Sequence, residues 1–403
     1  MIKDKIFYVL LAMGIVLRLV LAVTTYHSDI GALALSAKYI AGEGKIFSFY
    51  DAVVTFDESG EKYLLPSKMV FHYQPMAYLI PSIFYLPFRQ VILNTADSIT
   101  NNNWSQIHSQ SYNWLLLLYK FPLIMFDIFI LLLLPNFFSN KKDARLAQIL
   151  WLFNPLGIYV SSMMGQVDII IAFWLLLAYK FLLNRRHNLS VFFVTISALI
   201  KPIGLILIPI ILIDNLHKNK NIFKVLLTGF VGLFTYIGVI FPYISSPAYR
   251  VFSLFADHIN KTTYAGIAIA SGTQIPWFFI FYGLILLLFW KNRMSALTCF
   301  MATLLSSLVF THFHPQWLTW VMPFLLIWSI KTGSLMIYAV SVFSWFCVLF
   351  SFDPTLHYGI FLASKTMIEF PLRIQDFMGQ IILMGRAMLI GILLYLLVNR
   401  KRI

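Results

Sequence analysis

"WLFNPLGIYVSSMMGQVDIIIAFWLLLAYKFL", residues 151–182, is two apolar runs joined by a short polar turn. Asn154-Pro155 predicts a kink in the incoming helix, because proline removes a backbone donor and crowds the preceding turn. Gly165 permits a tight turn, and Gln166 and Asp168 sit at its apex. The flanks carry almost no charge, so the stretch reads as two membrane helices with one carboxylate between them. A charge at the bilayer centre costs about 2.5–3.5 kcal/mol by insertion scales, and much less near the surface. Asp168 is therefore either an inexpensive turn residue or part of a site.

The rest of the chain extends that pattern. Of 403 residues, 60% are hydrophobic and 11% charged, whereas soluble domains run to about half apolar and about a quarter charged. Apolar runs predict helices near residues 6–25, 112–134, 146–164, 169–184, 188–200, 202–216, 222–244, 275–290, 294–311, 316–330, 334–351 and 381–398. The expectation is an all-α, polytopic membrane protein forming a single transmembrane domain over residues 1–403. The opening run lacks a small-residue cleavage site and is expected to be a retained helix. Cys299 and Cys347 both lie in apolar runs, which argues against a disulfide framework or a cysteine metal cluster.

The net charge of +14 sits mostly in short loops, among them "NKKDAR" (140–145), "NRRH" (184–187), "HKNKNIFK" (217–224) and "KNR" (291–293). That distribution is the positive-inside signature, not a nucleic-acid patch, and no nucleic-acid partner is expected. The run 71–93 carries Pro75, Pro81 and Pro87 and is expected to be embedded without crossing. With that choice, about twelve spanning helices place all these loops and both termini in the cytoplasm. The segments 26–111, 245–274 and 352–380 then become outer loops, alongside Asp168, Lys201 and "THFHPQW" (311–317). If 71–93 crosses, most of the basic loops move outward, against the charge rule.

The outer face collects most of the polar chemistry, and each element also has a plain reading. Asp29, in "TTYHSDIGALALSAKYI", is either a helix cap or a general base, since a carboxylate can do both. After it, Ile30, Leu33, Ala37 and Ile40 are expected to line one face of a helix lying in the interface. In "VFHYQPMAYLIPSIFY" (70–85), His72, Tyr73 and Gln74 are an interfacial anchor or substrate contacts. Lys201, between two short apolar segments, either snorkels to the surface or pairs with an acid or a phosphate. His312, His314 and Gln316 stand beside Trp317 and Trp320. A tryptophan belt explains the rings but not the paired histidines, and no third ligand has the spacing of a zinc site. Hydrogen bonding to a phosphate or sugar between aromatic walls fits them better.

Taken in order, "DIGALALSAKYI", "FHYQPMAYLIPSIFY", "NPLGIYVSSMMGQVDIIIAFWLLLAYKFL", "ALIKPIGLILIPIIL" and "HFHPQWLTWVMPFLL" resemble the blocks of GT-C fold glycosyltransferases. The nearest likeness is to bacterial and archaeal mannosyltransferases related to the second mannosyltransferase of GPI-anchor synthesis. That resemblance implies eleven to thirteen helices, with interfacial helices in a long first outer loop. It implies an inverting transfer of a hexose, mannose-like or glucose-like, from a polyprenyl-phosphate donor to a glycan, lipid or protein acceptor. It also implies an active site on the extracytoplasmic side of a bacterial plasma membrane, among membrane lipids.

By position, the resemblance makes Asp29 the base, with His72, Tyr73, Gln74, Gln166, Asp168, Lys201, His312, His314 and Gln316 against the substrates. Asp29 and Asp168 are the carboxylates available to a divalent cation, Mg or Mn, if the reaction uses one. Here Gln74 stands where the family has proline and His72 where it has an acid, which puts the metal in question. No nucleotide cofactor is expected, because the chain has no glycine-rich phosphate loop. The rival reading is a lipid-linked sugar flippase or secondary transporter, with Arg18, Lys120, Asp127 and Arg386 as its charges inside the membrane.

Overall fold

The computed structural model describes residues 4–58, 71–100, 110–256, 264–270, 272–311, 314–352, 356–357, 360–361 and 375–399. Each of the apolar runs named above is helical, and among the described residues the strands are one antiparallel hairpin, Gly266–Ala270 with Thr273–Pro276. Five helical stretches are long and apolar enough to cross a bilayer: Lys5–Thr24, Met76–Asp97, Tyr112–Phe137, Ile222–Tyr243 and Gly379–Val398. A sixth arises if Lys141–Leu152 and Pro155–Met164, bent by 48°, act as one span. The predicted kink is there, and Asn154 caps it by accepting from the amides of Leu156 and Gly157. Shorter apolar helices, such as Ala296–Val309 and Met322–Lys331, are buried almost throughout. The fold is that of an all-α membrane protein.

The proline-rich run is more continuous than its three prolines suggest. Pro75 precedes the helix Met76–Tyr85, Pro81 lies within it, and Pro87 starts a tight turn, Leu86–Phe88, that leads into Arg89–Thr100. The helical path is therefore maintained through all three prolines, and its apolar part is long enough to cross. Proline at the start of a helical segment loses no bond, because the first amides there have no partner. Near Pro81, the Ser82 hydroxyl donates to Tyr78 O at 2.7 Å.

The helix that starts at Asp29, Asp29–Ala37, is also not the surface helix expected of it. Ile30, Leu33, Ala37 and Ile40 are buried as predicted, but Ala34, Leu35 and Ser36 on other faces are buried too. The helix packs against Met76–Tyr85, Arg89–Thr100 and Gln110–Leu133, so the first loop folds over it and leaves it almost no wet face.

Below this layer, the first helix, Asp4–Thr24, is locked to Gln110–Leu133 by a buried ion pair. Arg18 Nε donates to Asp127 Oδ2 at 2.7 Å, and a second guanidinium nitrogen donates to Leu152 O at 2.7 Å and Gly14 O at 3.1 Å. The other donors to Asp127 are Trp151 Nε1 at 2.8 Å and the Ser161 hydroxyl at 2.9 Å. A buried pair is tolerable when its remaining lone pairs and protons are matched in this way.

Candidate functional site

The opening turn is built as the sequence suggests. The helix Pro155–Ile158 widens into a π-turn, Tyr159–Met164, that ends on Gly165 at φ +77°. A side chain at Gly165 would run into Ile30 and come within 3.3 Å of Lys120 Cγ. Glycine is thus required both by the left-handed backbone and by the close approach of the Asp29 helix. Gly165→Ala is expected to destabilise the fold by about 1–3 kcal/mol and to disturb the site more than the core. Thermal unfolding in detergent, read beside ligand binding, checks it.

Immediately after the turn, Gln166 Nε2 donates to Asp29 Oδ2. Asp168 begins the helix Asp168–Leu183, where the free amides and the helix dipole favour a carboxylate. It is completely buried. Both of its oxygens lie 2.8 Å from Lys201 Nζ, and Oδ1 also accepts from Trp320 Nε1 at 2.8 Å. Lys201 reaches it from an extended residue between the helix His187–Ala198 and the 3-10 turn Pro202–Leu207. The pairing spans 33 residues of sequence.

Aromatic rings enclose the ammonium. Lys201 Nζ is 4.4 Å from the Tyr73 ring centroid, 5.5 Å from Trp317 and 5.8 Å from Trp320. The two tryptophans lie on the 3-10 turn Pro315–Trp320 and stack at 5.2 Å, since residues three apart eclipse in that geometry. Tyr73 is held by its main chain. Its carbonyl accepts from Tyr50 at 2.7 Å and from Ser253 at 2.9 Å, and its amide donates to Tyr78 at 3.2 Å. The same turn is tied to the Lys201 segment by Gln74 N to Ile200 O, 3.2 Å, and Met76 N to Leu199 O, 3.0 Å. Burial pushes the Tyr73 phenol well above its ordinary value, and the charges of Asp168 and then Asp29 push it further. Asp29 and Asp168 are linked through the turn, since Gln166 holds Asp29 and Asp168 begins the next helix two residues on.

The two acids differ in access. The Asp29 side chain keeps 42% of its surface, while Asp168 has none. His27, nearly buried, stands behind Asp29: its Nδ1 accepts from the Asp29 amide at 3.3 Å and lies 3.5 Å from Oδ2. The plain reading of Asp29 as a side-chain cap does not hold, because its carboxylate meets Gln166 and the residue before the helix, Ser28, makes no cap bond.

No protein-family profile matches the chain, and no curated protein or solved structure does either. Asp29, Tyr73, Gln166, Asp168 and Lys201 come together. His314 lies at the rim of the aromatic wall, 5.5 Å from Trp317 and 5.4 Å from Phe352, and His72 packs beside Tyr73 at 4.2 Å. Gln316 is buried, and among the described residues its Oε1 has no hydrogen-bond partner. Gln74 commits its amide elsewhere, accepting from Tyr249 at 2.8 Å and donating to Ser253 O at 3.4 Å, so it braces the Tyr73 turn. His312 lies outside the described residues.

Two contributors lie outside the sequence-based expectation: His27, and the indole N–H of Trp320. His27 is two residues before Asp29, a proximity that signals it, while Trp320 is expected as a wall and acts as a donor. As for a divalent cation, among the described residues no three His, Cys, Asp or Glu converge. Any cation on Asp168 would have to displace the Lys201 ammonium and compete with Trp320. The donor set there fits an ammonium rather than a divalent cation.

Proposed function

We propose that the protein is an inverting glycosyltransferase that moves a hexose from a polyprenyl-phosphate donor to an acceptor hydroxyl at the outer face of the membrane. The observation that carries this reading is the division of labour between the two acids. Asp29 is accessible and oriented by Gln166, while Asp168 is buried and neutralises Lys201. That is an arrangement with one carboxylate set to take a proton and one cation set beside it.

In the reaction, the acceptor hydroxyl gives its proton to Asp29 as its oxygen bonds to the anomeric carbon. The bond from that carbon to the phosphate oxygen breaks on the opposite face, and the lipid phosphate leaves with the electron pair. Lys201 faces the charge that accumulates on the leaving phosphate, and Asp168 with Trp320 fixes where the ammonium stands. Tyr73, Trp317 and His314 form walls suited to a sugar ring.

The reading includes about twelve spans with both termini in the cytoplasm, supported by the basic loops. Ser48 and Ser139 are both exposed and fall on opposite sides in this scheme. In intact cells, a membrane-impermeant maleimide is expected to label Ser48→Cys and to spare Ser139→Cys until the cells are broken. Labelling of Ser139→Cys in intact cells, which a crossing 71–93 run would produce, overturns the assignment, as does a Ser48→Cys that stays unlabelled until the cells are broken.

A flippase or secondary transporter is the second reading, favoured by the buried charges Arg18, Asp127 and Lys120. Arg18 and Asp127, however, are matched to fixed partners, which suits a lock better than a relay. Purified protein incubated with a panel of synthetic polyprenyl-phosphate hexoses and lipid-extract acceptors separates the two. Sugar transfer supports the enzyme. No transfer from any donor, with movement of the lipid-linked sugar across liposome membranes, supports the transporter.

A further inference from the structure

Lys120, like Arg18, is a buried cation that the proposed reaction does not use. It stands on the helix Gln110–Leu133 and is completely buried. Its ammonium donates to Thr25 O at 2.6 Å, Thr25 Oγ1 at 3.0 Å and Ala22 O at 3.1 Å. An ammonium has three donors, so all of them can be satisfied here, and none of these partners is a carboxylate. Two are main-chain carbonyls around the end of the first helix, where unpaired C=O groups concentrate partial negative charge.

Thr25 carries the connection onward. Its hydroxyl lies 2.5 Å from Leu21 O and 3.1 Å from Met163 O, near the end of the π-turn Tyr159–Met164. The Lys120 stem meets the same turn from below, since a side chain at Gly165 would come within 3.3 Å of its Cγ. Two arms leave this junction. One runs through Tyr26 and His27 to Asp29, and the other through Gly165 to Gln166 and Asp168. Those arms meet again where Gln166 donates to Asp29.

We propose that Lys120, acting through Thr25, is a positioning residue that sets the two arms of the site against each other. Its ammonium holds the root of the Asp29 arm, and the Thr25 hydroxyl couples that root to the Gln166–Asp168 arm. Lys120 touches none of the reacting atoms. The catalytic consequence rests on the glycosyltransferase reading; the coupling of the arms does not.

The test is amide hydrogen exchange by mass spectrometry on the full-length protein in nanodiscs. Lys120→Met is expected to raise exchange on the order of tenfold in both 26–31 and 163–169, with Leu175–Leu182 unchanged. Thr25→Val should raise it less in the same two segments, and Thr25→Ser, which keeps the hydroxyl, should match wild type. Unchanged arms in Lys120→Met, a uniform rise that includes Leu175–Leu182, or Thr25→Ser behaving as Thr25→Val overturns the proposal. If Lys120→Met does not accumulate as folded protein, the Thr25 pair decides by the same criterion. In the transfer assay, Lys120→Met should lower kcat at unchanged KM. Absence of transfer by the wild type would sink the functional reading and leave the exchange result standing.

Discussion

Asp29→Asn is expected to reduce turnover about 10²–10⁴-fold, the range a positioned general base contributes. The substitution is nearly isosteric and removes only the capacity to take a proton. Gln166 can still meet the side-chain oxygen, and His27 still accepts from the residue 29 amide, because that bond uses the main chain. Asp29 is also the accessible acid of the pair, so the folded state gives up no buried charge when it is neutralised. The expected signature is a lowered kcat, a KM close to wild type and an unchanged unfolding midpoint. Wild-type turnover in this variant would remove Asp29 from the role of base.

Lys201→Met should be damaging in a different way. Removing one partner of a buried ion pair leaves the other uncompensated, at about 3–5 kcal/mol. Asp168 has no exposure and, among the described residues, would keep the Trp320 bond alone. Asp168→Leu strands the ammonium instead, although Lys201 keeps a little exposure and its aromatic neighbours. The double variant Lys201→Met/Asp168→Leu removes both charges and is expected to regain most of the lost stability, as replacing a buried pair by apolar residues often does. Transfer should not return with it. One electrostatic contact to a developing negative charge is worth about 10²–10³-fold in rate, and the double variant has none from this lysine. Recovery of stability without activity separates a functional cation from a structural one. Recovery of both would make the pair a folding device.

Much of this arrangement was legible before the structure. The apolar runs found their helices because 3.6-residue packing and bilayer length both demand long apolar stretches. The Gly165 turn was readable too, since a left-handed residue at a close approach has few alternatives to glycine. Lys201 announced itself as a charge between apolar segments, and pairing with an acid was among its expected roles. What sequence could not give was the partner. Asp168 meets Lys201 across 33 residues and Trp320 across 152, and periodicity carries no information about such contacts.

The same limit explains the Asp29 helix. An apolar face predicts one buried side, but the number of neighbours stacked on the other sides is a property of the tertiary fold. The helix is buried nearly all round because the Met76–Tyr85, Arg89–Thr100 and Gln110–Leu133 helices close on it together. The continuity of the proline-rich run has a local reason. Proline suggests a break in sequence, but Pro75 and Pro87 start helical segments, where the missing amide costs nothing. Lys120 looked like a transport residue from its position alone, and only the carbonyls of Ala22 and Thr25 identify it as a brace.

The most direct measurement of the central claim is the anomeric configuration of the product, read by NMR from a donor of known configuration. A single base at Asp29, with the leaving phosphate held on the opposite side by Lys201, predicts complete inversion at the anomeric carbon. Retention would require a covalent intermediate and would contradict the account.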